Sequence, residues 1–149
     1  MGNDISGSAA PARQHTETDL HVADLEVQHR RVDQLVDELR LALRTGATER
    51  LARLALERIR DYLIVHFDDE EQYMAKIGYP AERLALHIAG HIALLDETEL
   101  ISEATDQSNI SVALAALETL SSHLRGHVAD HDQAYLGFAH AGTLRRIPA

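Results

Sequence analysis

The chain has 149 residues, 24 acidic against 14 basic side chains for a net charge of -10, an apolar content of 45% and no cysteine. Its length suits one ordinary domain with a single core, and its acidic balance argues against nucleic acid and anionic membrane surfaces, which need a basic face. The missing cysteine excludes disulfides, thiolate nucleophiles, iron–sulfur clusters and Cys-type zinc sites, so any metal must be held by nitrogen and oxygen.

Residues 1–18 are rich in Gly, Ser, Ala and Pro without an apolar period, and are expected to form a flexible N-terminal arm. The start Met1-Gly2-Asn3-Asp4-Ile5-Ser6 fits a loose myristoylation pattern, which is common by chance. It lacks the basic start and apolar middle of a signal peptide, and no apolar run approaches the roughly 18 residues of a spanning helix. A cytoplasmic protein without membrane insertion is the expectation.

Four helical segments follow. In the first, Val22, Leu25, His29, Val32, Val36, Leu39 and Leu43 alternate steps of three and four, the seam of a bundled helix. Gly46 ends it and Thr48 can cap the next, whose seam runs Ala52, Ala55, Ile59, Leu63, His66, Glu70, Tyr73 or Met74, and Ile77. Gly78 and Pro80 enforce a turn. The third helix, from about Pro80 to Ala104, carries Leu84, His87, His91, Leu94 or Leu95, and Ile101. After the polar break 105–109, the fourth carries Ile110, Leu114, Leu117, Leu120, Leu124, His127, His131, Tyr135 and Phe138. The triplet Asn109-Ile110-Ser111 fits a glycosylation acceptor, but a helix start explains it as well. The fold class is all-α: an antiparallel up-down-up-down four-helix bundle over residues 19–141, with a loose tail at 142–149.

Histidines interrupt this plain bundle. His29, His66, His87, His91 and His127 occupy seam positions that call for Leu or Val. A buried polar ring without a partner costs about 1 to 3 kcal/mol, so five of them would consume the stability of a domain unless they shared a partner. His66 and Glu70, four residues apart, project from one helix face as a pair of metal ligands can. Five imidazoles plus carboxylates exceed one tetrahedral zinc shell, so two ions sharing carboxylates fit better. A ferritin-like site wants two Glu-x-x-His pairs, and Glu26 to His29 is the only one present. The zinc-protease motif His-Glu-x-x-His is missing.

Over about residues 20–140 the sequence resembles the single-domain bacterial hemerythrins. The match rests on Gln28-His29, His66-Phe67 with Glu70-Glu71 and Met74, Tyr79-Pro80, the His87/His91 pair, and His127-Val128 followed by Asp132. The resemblance implies a non-haem diiron centre, two iron ions that bind dioxygen reversibly. His87, His91 and His127 would hold one iron, His29 and His66 the other, and Glu70 and Asp132 would bridge them. The second iron would keep an open position, with Leu94, Leu95 and Leu124 as pocket lining. Asp68, Asp69 and Glu71 are assigned to the outer face.

Regular helix geometry disagrees with this pattern at one place. At about 100° per residue, His131 shares a face with His127, whereas Asp132 lies about 140° away. A π-type widening near residues 127–132 is therefore expected, bringing Asp132 inward and turning His131 aside. His123 stands where the family usually has Trp, as a partly exposed ring or as a neighbour of the ligands that donates a proton to dioxygen. Leu94 stands where Phe is common. Tyr62 is expected to pack in the core, and His15, His21 and His140 to be solvated.

The leading reading is a dioxygen carrier, store or local supplier and not an enzyme. A diiron redox enzyme or sensor for peroxide or nitric oxide is the alternative. A third is an interaction bundle that its metal only stabilises, and zinc remains open because imidazole suits both metals.

Overall fold

The computed structural model describes residues 9–145, with side chains from 17 to 142. Its helices are α1 (Ala9–Arg44), α2 (Glu49–Lys76), α3 (Ala81–Asp106), α4 (Ile110–His127) and α5 (Gln133–Arg145), the last two joined by a π turn at Val128–Asp132. Helices α4 and α5 thus act as one rod, giving a four-helix bundle without strands among the described residues.

Local chemistry sets the boundaries. Gly46 and Gly78 adopt φ of +68° and +72° at the ends of α1 and α2, a conformation that side chains disfavour. The Thr48 and Asn109 side chains accept hydrogen bonds from the Leu51 and Val112 N–H groups at 3.3 Å, capping α2 and α4. The acceptor-like triplet at Asn109 therefore works as a helix start.

The chain direction is written in the core. The larger apolar cluster holds Val32 to Leu43 of α1, Ala52 to Phe67 of α2, Leu94 to Ala104 of α3 and Ala113 to Leu120 of α4. The smaller one joins Leu25, Met74, Tyr79, Tyr135 and Leu136. Going along α1 the order is small cluster, His29, large cluster; along α2 it is reversed, along α3 restored, along the fourth rod reversed again. That alternation is the up-down-up-down topology, and it leaves one polar layer between two apolar ones.

Some expectations are corrected at the ends. Helix α1 is described from Ala9, so residues 9–18 of the expected arm are helical. Residues 1–8, including the myristoylation pattern, lie outside the described part. Helix α5 continues through Gly142 to Arg145 rather than stopping before it, since glycine alone weakens a helix without ending it. Ile110, expected on the seam, is exposed in the first turn of α4, and burial begins at Ala113. No helix among the described residues is long and apolar enough to cross a membrane.

Candidate metal centre

The polar layer takes pairs one helical turn apart from α2 and α3, and single imidazoles from α1 and α4. On α2, His66 Nε2 and Glu70 Oε1 lie 2.6 Å apart. On α3, the His87 and His91 rings meet edge to face at 4.5 Å between centroids. From α1, His29 Nε2 reaches to 3.3 Å from Asp132 Oδ2. From α4, His127 Nε2 lies 3.1 Å from His87 Nε2 and 3.2 Å from Asp132 Oδ1.

Asp132 arrives there through the π turn. Residues Val128–Asp132 wind with one residue more per turn than an α-helix, so the five-residue step from His127 returns to the bundle axis. Asp132 is fully buried, while His131 is exposed and stacks on the His127 ring at 5.1 Å. The widening expected from the sequence lies at the expected residues.

The seven expected residues fall into two overlapping groups. Glu70, His87, His91, His127 and Asp132 form one; His29, His66, Glu70 and Asp132 form the other, with ligand atoms within 4.8 Å of one another in each. Glu70 and Asp132 belong to both. Several of these atoms are buried without a hydrogen bond: His29 Nε2, His91 Nε2, Glu70 Oε1 and both Asp132 oxygens. The Glu70 Oε1 and Asp132 contacts are close but out of line for hydrogen bonding. His87 Nε2 does lie within hydrogen-bond reach of Glu70 Oε2 and His127 Nε2, at 3.2 and 3.1 Å, but polar atoms crowded together with most of them left unpartnered are what a cation site looks like from its ligands. The donor set fits iron, which accepts imidazole and carboxylate together.

Electrostatics points the same way. Burial opposes charge on Glu70, but His66, His87 and His91 outweigh it and hold the carboxyl at about 2. Burial likewise opposes charge on Asp132, and His127, His29 and His87 keep it well below the usual carboxylate range. His87 is raised to about 9, because Asp132 and Glu70 outweigh its burial, and His29 is raised by Asp132 for the same reason. Two buried carboxylates thus demand positive charge, which protons or metal cations can supply.

Outer hydrogen bonds orient two of the imidazoles. His66 Nδ1 donates to Gln28 Oε1 at 2.6 Å, and Gln28 Nε2 reaches Asp69 Oδ2 at 3.5 Å. His91 Nδ1 donates to Glu71 Oε1 at 2.8 Å, which corrects the assignment of Glu71 to the outer face. Each bond directs the Nε2 lone pair inward. The signal for Glu71 was its place beside Glu70, but the sequence does not say which helix it faces. Gly90 was missed as well; it lies against the His127 ring, where a Cβ would stand 3.4 Å from Nδ1, in contact but without a clash.

A cavity of about 120 Å³ opens beside His29, His66, His127 and Asp132, its apolar wall formed by Val32, Leu63, Phe67, Leu124 and Val128, with Asp33 and Arg125 at its rim. Of the expected lining only Leu124 is there. Leu94 is buried in the large core and Leu95 packs against that core, because the side with fewer imidazoles faces α1, α2 and α4 rather than α3. His123 is also outside the cavity: its ring is 57% exposed and paired with Glu97 across a surface groove shared with Leu94 and His131. Tyr62 packs against the large core as expected. His21, expected to be solvated, is half-buried, stacked on Tyr73 with centroids 3.6 Å apart and 2.9 Å from the Tyr135 hydroxyl. His15 lies outside the described side chains, and His140 is half-buried and engaged with its surroundings.

A family model described as the hemerythrin HHE cation binding domain matches residues 20–139. No curated protein and no solved structure matches the chain.

Proposed function

This chain belongs to the hemerythrin family, and from that premise we propose that it holds two iron ions and binds dioxygen reversibly, as a carrier, store or local supplier rather than an enzyme. The observation that carries the reading is the unequal sharing of the centre: three imidazoles converge on one side of Glu70 and Asp132, two on the other, and the cavity is lined by both imidazoles of the second side but only by His127 of the first.

His87, His91 and His127 would hold one ion, His29 and His66 the other, and the two carboxylates would bridge. Bound there, iron would supply the reversible redox chemistry that dioxygen binding needs. The protein's own part is to orient and to exclude. Gln28 and Glu71 fix the tilt of His66 and His91, and the aliphatic and phenyl walls of the cavity slow the entry of water, which is the route to irreversible oxidation. The fully buried Glu70 and Asp132 hold the charge balance constant, since their ionisation persists at neutral pH.

The alternative as a redox enzyme or sensor for peroxide or nitric oxide drew on His123, and that ring stands away from the cavity. Apart from the ligands themselves, the inner wall of the cavity is apolar, formed by Val32, Leu63, Phe67, Leu124 and Val128 with the charged Asp33 and Arg125 at its rim, and this favours binding over turnover. Iron analysis with visible absorption spectra under air and after anaerobic reduction tests the reading. Two irons per chain and an absorption band that appears and disappears with oxygen are expected; one zinc per chain with a blank spectrum would end it.

A further inference from the structure

A line of aromatic rings leads from the centre to the surface on the side away from the cavity. Tyr135 is completely buried, and its ring stands at a steep angle to His87 with centroids 5.5 Å apart. Its hydroxyl is 2.9 Å from His21 Nε2, and its ring centroid is 5.8 Å from His21 and 6.1 Å from Tyr73. His21 and Tyr73 stack nearly parallel, held by the Tyr73 hydroxyl donating to Thr18 Oγ1 at 3.2 Å. Both rings line a cleft of about 360 Å³ between α1 and α2, whose wall also holds Asp24, Asp69 and Lys76. One rank of rings therefore joins a ligand of the centre to a solvent cleft whose carboxylates outnumber its ammonium.

We propose that this line is the electron entry port of the protein: a cationic one-electron donor docks in the cleft, and electrons reach the iron pair through the His21–Tyr73 stack, Tyr135 and His87. The proposal rests on the two-iron reading above. An oxygen-binding centre that loses its electrons to slow oxidation is useless until they are replaced, and the cavity of about 120 Å³ is too small for an organic donor. In the step itself two donor molecules each lose one electron and two ferric ions become ferrous. No bond forms or breaks in the relay, and every ring keeps its protons. Asp24 and Asp69 select the sign of the donor, and the net charge of -10 steers cations toward the whole surface.

Stopped-flow reduction of the oxidised, iron-loaded protein by reduced methyl viologen tests the port. His21→Leu and Tyr135→Leu are each expected to slow reduction by about tenfold, equivalent to 1.4 kcal/mol in barrier, with midpoint potential and iron content unchanged. Tyr135→Phe, which keeps the ring, is expected to retain most of the rate. Asp24→Asn with Asp69→Asn is expected to flatten the salt dependence. Leu124→Trp, which fills the oxygen cavity, is expected to slow oxygen uptake and leave reduction by the viologen alone. In the metal-free protein, oxidised methyl viologen should shift the ring NMR signals of Tyr73 and His21 and spare those of Phe67. Iron content is measured on every variant: a parent that takes up no iron counts against the proposed function, whereas iron-loaded His21→Leu and Tyr135→Leu variants reduced at the parent rate overturn the port. Slowing by Leu124→Trp instead would place entry at the cavity and overturn it equally.

Discussion

Asp132 lies five residues after His127, yet its Oδ1 stands 3.2 Å from His127 Nε2, because the turn between them is π rather than α. His131, at the step a regular helix would use, is exposed. Alanine at the two positions should therefore act in opposite ways. His131→Ala is expected to load iron like the parent, and Asp132→Ala to lose most of it, as measured by iron content after reconstitution. Equal loading of both variants would show that the aspartate is no ligand.

Glu71 and Gln28 are hydrogen-bonded to the outer nitrogens of His91 and His66. Outer partners of this kind are worth about 10- to 100-fold in metal affinity. Glu71→Ala is expected to weaken the ion on the three-histidine side, and Gln28→Ala the ion on the cavity side. Competition with a chelator reads both, and two-step release curves that changed in the same step for both variants would contradict the assignment.

Much of this was legible in the chain. The five seam histidines stand where aliphatic periodicity leaves gaps, and the five-residue step to Asp132 conflicts with a regular helix on periodicity alone. The lining was not legible, because Leu94 and Leu124 both lie on the seam, and which of them faces the cavity depends on the rotation of α3 against α4. Glu71 and His21 were misread for a related reason. A polar side chain on a helix flank looks solvated in sequence, whereas a neighbouring helix decides whether it is, and here α3 brings His91 to Glu71 and the fourth rod brings Tyr135 to His21.

Gly90 sits in the interior of α3 beside the His127 ring, where a Cβ would stand at 3.4 Å, an ordinary contact. Alanine should fit and spare the helix the conformational entropy of glycine. Gly90→Ala is expected to stabilise the protein by about 0.5 to 1 kcal/mol in urea denaturation, with iron loading retained. A longer side chain, as in Gly90→Leu, would meet the imidazole and displace it. Loss of stability in the alanine variant would mean that the ring cannot tolerate even the methyl group.

His21 makes stability depend on pH in a defined direction. Burial lowers its pKa in the folded protein below the ordinary 6.5, and the more distant carboxylates of Glu70, Asp24, Asp132 and Asp69 only partly offset this. Above 6.5 the ring is neutral in both folded and unfolded chains, so the contribution of its neutral contacts is fully present. As the pH falls below 6.5 the unfolded chain takes up the proton first, and stability is lost progressively down to the lowered folded value. Denaturation of the parent and of His21→Gln, compared across this range, should show a steeper loss in the parent, whose carboxylates contribute the same background to both. Parallel curves would mean that His21 titrates alike in both states, and that its bond to Tyr135 does not discriminate between its charge forms.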